Sequence, residues 1–483
     1  MAQETGRGRR PPAAGTFLLL MAASLIFGPI RPASAQSGPF QTVSQGLNAG
    51  RFIFYPSVSI DFINDSNVLY SSEDLPSSVD LGSGVLLVKP RVMMDLPIGQ
   101  SRIRWAYTGY YRAYTTDVLP VPNERSHFFD FEALMQVGRA LHLVIREHYV
   151  RGIQEVQEFD PGGEVIVSHR PFTTNEPSLQ ADLDIGARQS VSYVLGHSRV
   201  HYDVVADIAV QGYTRDSMEG RYNYRLSMTD TVYGFAAIED NEQDRASFLF
   251  QDVDSRGKTL GVGGTRAFNQ EVTTAARVGY QNLAFTGGST GNFGGMVADI
   301  NASLQLSETS NLSVTVGHAP YQSFFLDQPY YLNDQISVRF LHQIGSSVYW
   351  EIAGTFRNNA YPEGLDLSVR PDTPFTEDCD GDRIPDSSDC NNNDLIDGLE
   401  RLFCVPQPGG PPECPSMGVK RNDRASLFEI GVGYRPRQRL GIFIGYNNDR
   451  RHSNIEQVSQ GQFFDPFHYD VDRVFFRIEM GWR

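Results

Sequence analysis

The carboxylates between Asp378 and Glu400 are the residues of this chain whose spacing points most directly to chemistry. Asp378, Asp380, Asp382, Asp386 and Asp389 stand at positions 1, 3, 5, 9 and 12 of one unit. A second unit starts on the shared Asp389 and runs through Asn391, Asn393, Asp397 and Glu400 at the same spacing. Calcium takes about six to eight oxygen ligands at flexible distances, and closely spaced Asp and Asn side chains supply them from one tight loop. Ile384 and Leu395 fall at position 7, where a backbone carbonyl ligates and the apolar side chain turns inward. Position 6 holds Arg383 and Asp394 instead of the glycine of an EF-hand loop. The spacing predicts structural Ca2+ in this segment. A solvated acidic loop is the plainer alternative.

All four cysteines, Cys379, Cys390, Cys404 and Cys414, lie in or just after these units. Confinement of every cysteine to one segment predicts two disulfides, with three pairings open. Pro406, Pro408, Pro411, Pro412 and Pro415 make the rest of the segment stiff and irregular. A segment of this size, 371–420, holds no core without ion and disulfide staples.

The frame that carries this segment is legible in the alternation on either side of it. In Ser101–Tyr114, Ile103, Trp105, Tyr107, Gly109 and Tyr111 share one face, and Arg102, Arg104, Thr108, Tyr110 and Arg112 the other. In 347–359, Val348, Trp350, Ile352 and Phe356 oppose Tyr349, Glu351, Thr355 and Arg357. In 471–483, Val474, Phe476, Ile478, Met480 and Trp482 oppose Arg473, Phe475, Arg477 and Glu479. A side-chain period of two places each set on opposite faces of a strand. Strands are expected at 52–63, 84–95, 101–114, 126–137, 140–151, 179–196, 199–213, 221–229, 231–239, 257–267, 271–285, 293–305, 311–320, 334–345, 347–359, 424–435, 439–449 and 471–483. That count is eighteen, an even number, as bacterial barrels require.

Connection lengths alternate. Short turns are expected at Pro97-Ile98-Gly99, Gly138-Arg139, Asp230, Asn269-Gln270, Gly345-Ser346 and Pro436-Arg437-Gln438. Each joins an even strand to the next odd one, which is the periplasmic side if both termini are periplasmic. Long loops, among them 152–178, 371–420 and 450–470, fall on the opposite, extracellular side. Outer-membrane barrels show this asymmetry. A soluble β-sandwich shares the alternation but not the loop pattern. The span 179–196 is kept as one strand, because splitting it around Arg188-Gln189 breaks the parity. No stretch after the N-terminus reaches the run of about 18 apolar residues that marks a helical span.

At the N-terminus, Arg7, Arg9 and Arg10 precede an apolar run, Thr16–Phe27, and Ala33-Ser34-Ala35 fits a signal-peptidase site. The run is too short for the roughly 20 residues of a transmembrane anchor. The expected organisation is a signal peptide at 1–35, a periplasmic segment at 36–50, barrel strands one to fifteen within 51–370, the insertion at 371–420, and strands sixteen to eighteen within 421–483. The fold class is all-β: a transmembrane antiparallel β-barrel of about eighteen strands, seated in outer-membrane lipid.

Three resemblances follow from these residues. Tyr55-Pro56-Ser57-Val58-Ser59-Ile60 runs into Asn64-Asp65-Ser66-Asn67-Val68, followed by Lys89-Pro90-Arg91-Val92 and Trp105–Tyr114. This resembles the outer-membrane β-barrel porin family associated with exopolysaccharide biosynthesis and export, over roughly 50–360 and 424–483. The resemblance implies a polysaccharide-conducting barrel working beside a periplasmic polysaccharide-export protein, with no catalytic motif. The terminal Phe475–Arg483 resembles the C-terminal strand read by the barrel-assembly machinery, although Trp482 is penultimate and Arg483 last. The segment 378–400 resembles thrombospondin type 3 calcium repeats.

Function classes narrow accordingly. A net charge of −16 argues against nucleic acid as a partner. His127, His142, His148, His197, His201, His318 and His342 are scattered over separate strands or turns, with no adjacent serine–base pattern, so an enzyme is not expected. The leading expectation is a conduit for an exopolysaccharide. A general porin for small hydrophilic solutes, or an adhesin or structural barrel displaying a calcium-binding cap, are the alternatives. Lumen-lining candidates are Arg102, Arg104, Arg112, Arg146, Arg339, Arg357, Arg473 and Arg477, with Asp130, Glu132, Glu351 and Glu479 of opposite sign. Such a wall, if open, would attract an anionic polysaccharide. The opposing expectation is a lumen locked by Arg–carboxylate pairs.

Overall fold

The computed structural model describes residues 46–68, 82–115, 124–153, 171–202, 212–243, 254–267, 272–286, 291–323, 329–364, 419–437, 439–455, 457–459, 462–464 and 468–481. Every regular element among them is a strand. In chain order these are β1 (Leu47–Ala49), β2 (Phe52–Asp65), β3 (Ser83–Ile98), β4 (Ser101–Tyr114), β5 (Glu124–Val137), β6 (Leu141–Ile153), β7 (Pro171–Asp184), β8 (Gln189–Tyr202), β9 (Tyr213–Arg225), β10 (Asp230–Gln243), β11 (Asp254–Ala267), β12 (Val272–Thr286), β13 (Phe293–Ser307), β14 (Ser310–Gln322), β15 (Tyr330–Ile344), β16 (Val348–Gly364), β17 (Lys420–Arg437), β18 (Leu440–Ser453), β19 (Gln457–Ser459), β20 (Gln462–Phe464) and β21 (Tyr469–Gly481).

Strands β2 to β18 pair each with the next, all antiparallel, and β18 pairs with β21. The ring closes where β21 pairs with β2, from Ser57 opposite Gly481 to Asp65 opposite Arg473. Eighteen strands therefore form one closed barrel, as the alternation predicts. β1 lies outside that count. It pairs with Phe52–Phe54, on the stretch of β2 that β21 stops short of. It so covers an edge that would otherwise stay unpaired. β19 and β20 form a separate two-stranded hairpin between β18 and β21.

The connections keep the expected asymmetry. β3–β4, β5–β6 and the six corresponding later pairs are joined by two to four residues, whereas the other side carries six or more, up to the 365–419 connection. Gly99, Gly138 and Gly345 hold φ of 61°, 68° and 64° in three of the short turns, a backbone region open mainly to glycine.

The main correction lies in the middle of the chain. The expected strand 179–196 is two strands, β7 and β8, around a turn at 185–188 that Ile185 N and Gly186 N close onto Gln189 O at 3.0 and 3.3 Å. The expected strands 199–213 and 221–229 are displaced correspondingly, and 171–178 belongs to β7 rather than to a loop. The physical reason is phase. Leu179 and Leu183 before the turn, and Val191, Tyr193 and Leu195 after it, all fall on the outer face at odd positions. A four-residue turn leaves that periodicity unbroken. The split does not break the parity, because 199–213 is not a strand of its own: 199–202 completes β8 and Tyr213 opens β9. Two smaller corrections follow. Asp230 opens β10, with the turn at 226–229, and 450–453 belongs to β18 rather than to a loop. The signal peptide, the calcium units and the four cysteines lie outside the described residues.

The outer face is apolar and bare. Leu260 is 70 % and Phe356 64 % exposed, and Phe428, Ile430, Val432, Ile444, Val474 and Phe476 join the same band. The inverse holds inside, where Asp61, Glu132, Glu219, Glu351 and Glu429 are buried. An apolar exterior around a polar interior is stable only with lipid outside. Strands of 13 to 18 residues exceed the roughly 9–11 that a tilted span needs, so the wall extends beyond the hydrocarbon.

Closure in this register is testable by cross-linking. Ser59 and Glu479 are direct partners on the inner face of the closing seam, within the reach of a disulfide. In a background lacking the native cysteines, Ser59→Cys with Glu479→Cys should oxidise to a circular chain. Boiled, unreduced protein should then run as a compact, fast band that reductant abolishes. No cross-link in the folded barrel would refute this seam.

Candidate functional site: the lumenal wall

Inward positions alternate along every strand, so charged residues on neighbouring strands meet as cross-strand pairs. Seven of the eight expected lumenal arginines are engaged this way. Arg102 Nε donates to Asp95 Oδ1 at 2.7 Å. Arg104 and Arg146 share Glu132, Arg146 Nε lying 2.9 Å from Oε2. Arg112 Nη1 donates to Glu124 Oε2 at 3.1 Å, and Tyr114 Oη to Oε1 of the same carboxylate at 2.9 Å. Arg339 Nε lies 2.6 Å from Glu351 Oε1. Arg473 Nε donates to Asp65 Oδ2 at 2.7 Å. Arg477 Nε and Lys89 Nζ take the two oxygens of Asp61, at 2.9 and 2.5 Å. Arg357, opposite Gln335 and Ala425, keeps a buried Nε with no hydrogen-bond acceptor. The wall is therefore zwitterionic, closer to the paired expectation than to a free cationic surface.

At the long-loop end the wall carries three further groups. Arg421 and Arg451 both bind Asp423, with Nη2–Oδ2 distances of 2.6 and 2.5 Å, and all three are almost fully buried. Arg421 lies over the Tyr361 ring at 4.6 Å. This clamp ties β16, β17 and β18 at the root of the 365–419 connection. Leu283, Phe293, Val297 and Tyr330 form an apolar cluster linking β12, β13 and β15. Asn241 Nδ2 donates to Gln322 Oε1 from β10 to β14, across three intervening strands, so side chains of this sector bridge the interior.

At the short-turn end the wall carries aromatic rings that sequence reasoning passed over. Tyr349, Phe443 and Phe475 occupy inward positions on β16, β18 and β21. Beneath them lie Gly433, Gly431 and Gly445, three inward glycines of β17 and β18. A Cβ added at each glycine would fall within 3.0 Å of one of these rings. Each ring thus packs over a bare glycine of the wall. The rings stack in sequence, Tyr349 on Phe443 at 6.1 Å and 25°, and Phe443 on Phe475 at 5.5 Å and 28°. A similar pair, Tyr233 and Phe235 over Gly263 and Gly261, lies on β10 and β11. The available signal was glycine at alternate positions of a strand, Gly431 and Gly433, with aromatic residues on the two neighbouring strands.

The seven histidines singled out in the sequence sit apart, whereas His452 and His468 lie with ring centroids 4.0 Å apart. His148 meets Asp130 at 2.7 Å and His197 meets Asp216 at 2.8 Å. One serine contact was missed: Ser310 Oγ lies 2.8 Å from His342 Nδ1. His342 is on the outer face beside Phe340 and Trp350, in an aromatic patch near the short turns.

No family model matches the chain, and no curated protein matches it. Among solved structures it is similar to the FrpB iron transporter from Neisseria meningitidis, at 9% identity over 90% of this chain and 82% of that one, with a TM-score of 0.43. It is also similar to the siderophore receptor PirA from Pseudomonas aeruginosa, at 7% identity over 90% and 81%, TM-score 0.41. The outer membrane protein OpdK from Pseudomonas aeruginosa gives 9% identity over 89% and 99%, TM-score 0.39.

The shared carboxylate of Glu132 sets up a stability test. Glu132→Ala leaves two guanidiniums on the wall without their partner, a change expected to cost about 3 kcal/mol. The exposed Arg256–Asp240 pair, 63 % and 46 % exposed, should contribute under about 1 kcal/mol. Heat-modifiability in detergent gels should show Glu132→Ala unfolding at a clearly lower temperature and Asp240→Ala close to wild type. Equal shifts would mean that burial on this wall has no energetic consequence.

Proposed function

We propose that the chain is an outer-membrane conduit for a hydrophilic solute, and that its cargo is an exopolysaccharide leaving the cell. The observation that carries the conduit reading is the closed ring of eighteen strands, apolar outside and charged inside. Barrels of this width leave an aqueous interior rather than a filled core. The cargo rests on less: the sequence resemblance of 50–360 and 424–483 to exopolysaccharide-associated barrels. A porin for small hydrophilic solutes fits the same wall equally well. For the export reading, the partners are a periplasmic polysaccharide-export protein at the short-turn mouth and the barrel-assembly machinery during insertion.

Purified protein in planar bilayers should conduct, and a polysaccharide added on one side should block the current in a voltage-dependent way. Complete absence of conductance, both in the full chain and after deletion of 371–420, would overturn the conduit.

The insertion is proposed as an extracellular cap whose order depends on Ca2+ and two disulfides. Asp378, Asp380, Asp382 and Asp386 serve the first ion, Asn391, Asn393, Asp397 and Glu400 the second, and Asp389 both. Because ion binding drives the folding of so small a segment, chelation should make 378–400 protease-sensitive. The heat-modifiable barrel band should stay unchanged. Asp389→Ala should reproduce the effect of chelator. Proteolysis indifferent to both would exclude calcium.

A further inference from the structure

We infer that the outer face of β5–β8, at its long-loop end, holds a lipid headgroup carrying more than one phosphate, through Arg125, Arg151 and Arg199. The inference rests on the membrane-spanning fold and goes beyond the conduit reading. Three observations carry it. The three arginines are exposed on the lipid-facing side of the wall, while their inward neighbours Ser126, Val150 and Val200 are buried. They form one patch. Arg151 stands opposite His127 on β5, two residues from Arg125, and opposite Thr173 on β7; Arg199 on β8 stands opposite Asn175. Finally, none of the three has a carboxylate partner among the described residues, whereas other arginines of the outer face are neutralised in place. Arg256 pairs with Asp240 at 2.9 Å and Arg450 with Asp470 at 2.7 Å. Asp216, on the strand beside Arg199, is taken by His197 at 2.8 Å.

Position decides what these side chains meet. On the same face, Phe129 follows His127 by two residues, Tyr149 precedes Arg151 by two, and Tyr193 and Leu195 precede Arg199. Aromatic rings at this height mark the boundary between hydrocarbon and headgroups. Arg151 lies beyond that boundary, third from the end of β6, and Arg125 is the second residue of β5. Their neighbours outside the barrel are therefore headgroups. Cations beside a membrane surface attract anionic lipid, and a guanidinium fork binds phosphate oxygens through two parallel N–H donors. One phosphate cannot reach all three forks. Ladder spacing sets the Cα atoms of Arg125 and Arg151 about 8 Å apart and those of Arg151 and Arg199 about 12 Å apart. A headgroup with two phosphates spans such a patch. Thr173 and Asn175, between β6 and β8, offer a hydroxyl and an amide to the polar groups that link the phosphates.

The test measures lipid retention by the full chain, purified in a non-ionic detergent, with native mass spectrometry. The probe is lipid A, a diglucosamine lipid with two phosphates, compared with its monophosphoryl form. Wild type should retain the bisphosphorylated lipid more strongly. Arg125→Gln, Arg151→Gln and Arg199→Gln should each weaken that retention about fivefold, and the triple variant should hold both lipids weakly and equally. Arg256→Gln, on the same outer face but at a paired arginine, should retain lipid like wild type. Heat-modifiability confirms that each variant is folded. Equal retention by wild type and the triple variant, or an effect of Arg256→Gln as large as that of Arg151→Gln, would overturn the site. Equal retention of the two lipids by wild type would overturn the need for more than one phosphate. Displacement of the lipid by inorganic phosphate at equal concentration would reveal a general anion patch and overturn the lipid as its occupant.

Discussion

The ladder between β2 and β21 joins residues at least 408 positions apart in sequence, the separation of Asp65 and Arg473, and the rest of the wall depends on it. In hydrocarbon no water satisfies a backbone amide, so a sheet can cross only if its first strand pairs with its last. Closure also fixes what each side chain faces. Once the ring is shut, every odd–even alternation becomes a division between lipid and lumen. The apolar exposure of Leu260 and the burial of Asp61 are two consequences of that one constraint. The short β1 shows how completely it is met: where β21 ends at Gly481, β1 takes over the neighbouring edge of β2.

Within the closed ring, charges settle into pairs because the register leaves them no other neighbours. Glu132 stands opposite both Arg104 and Arg146, and Asp61 receives Arg477 from one side and Lys89 from the other. Such pairing keeps a highly charged wall from repelling itself and removes most of its long-range field. What then distinguishes one part of the lumen from another is local: a clamp of Arg421, Asp423 and Arg451 under the insertion, an apolar cluster around Phe293, and rings lying on glycine near the short turns. The two ends of the wall thus differ: a buried ion clamp lies at the long-loop end, and rings packed on glycine lie towards the other.

Much of this was readable in the sequence, and the limits are physical. The strand count and the side of each short turn follow from period-two alternation and from glycine-bearing turns such as Gly99 and Gly345, both local signals. The β7–β8 hairpin was hidden because Leu183 and Val191 keep the same phase through the 185–188 turn. The inward direction of Arg102, Arg104 and Arg477 was legible from the same alternation. Their partners were not, since Asp61 and Arg477 meet only through closure. The packing of rings on glycine was harder still. Its rings belong to β16, β18 and β21 and its floor to β17 and β18, and nothing in a linear reading says that Gly433 lies beneath Tyr349.

The central claim is that one closed ring separates lipid from an aqueous, charged interior with a strict period of two. It is tested most directly by single cysteines placed one at a time from Arg473 to Met480 on β21, in a background lacking the native cysteines, in reconstituted liposomes. A charged, water-soluble methanethiosulfonate should label positions 473, 475, 477 and 479 and spare 474, 476, 478 and 480. Uniform labelling, or labelling of the opposite set, would contradict the account.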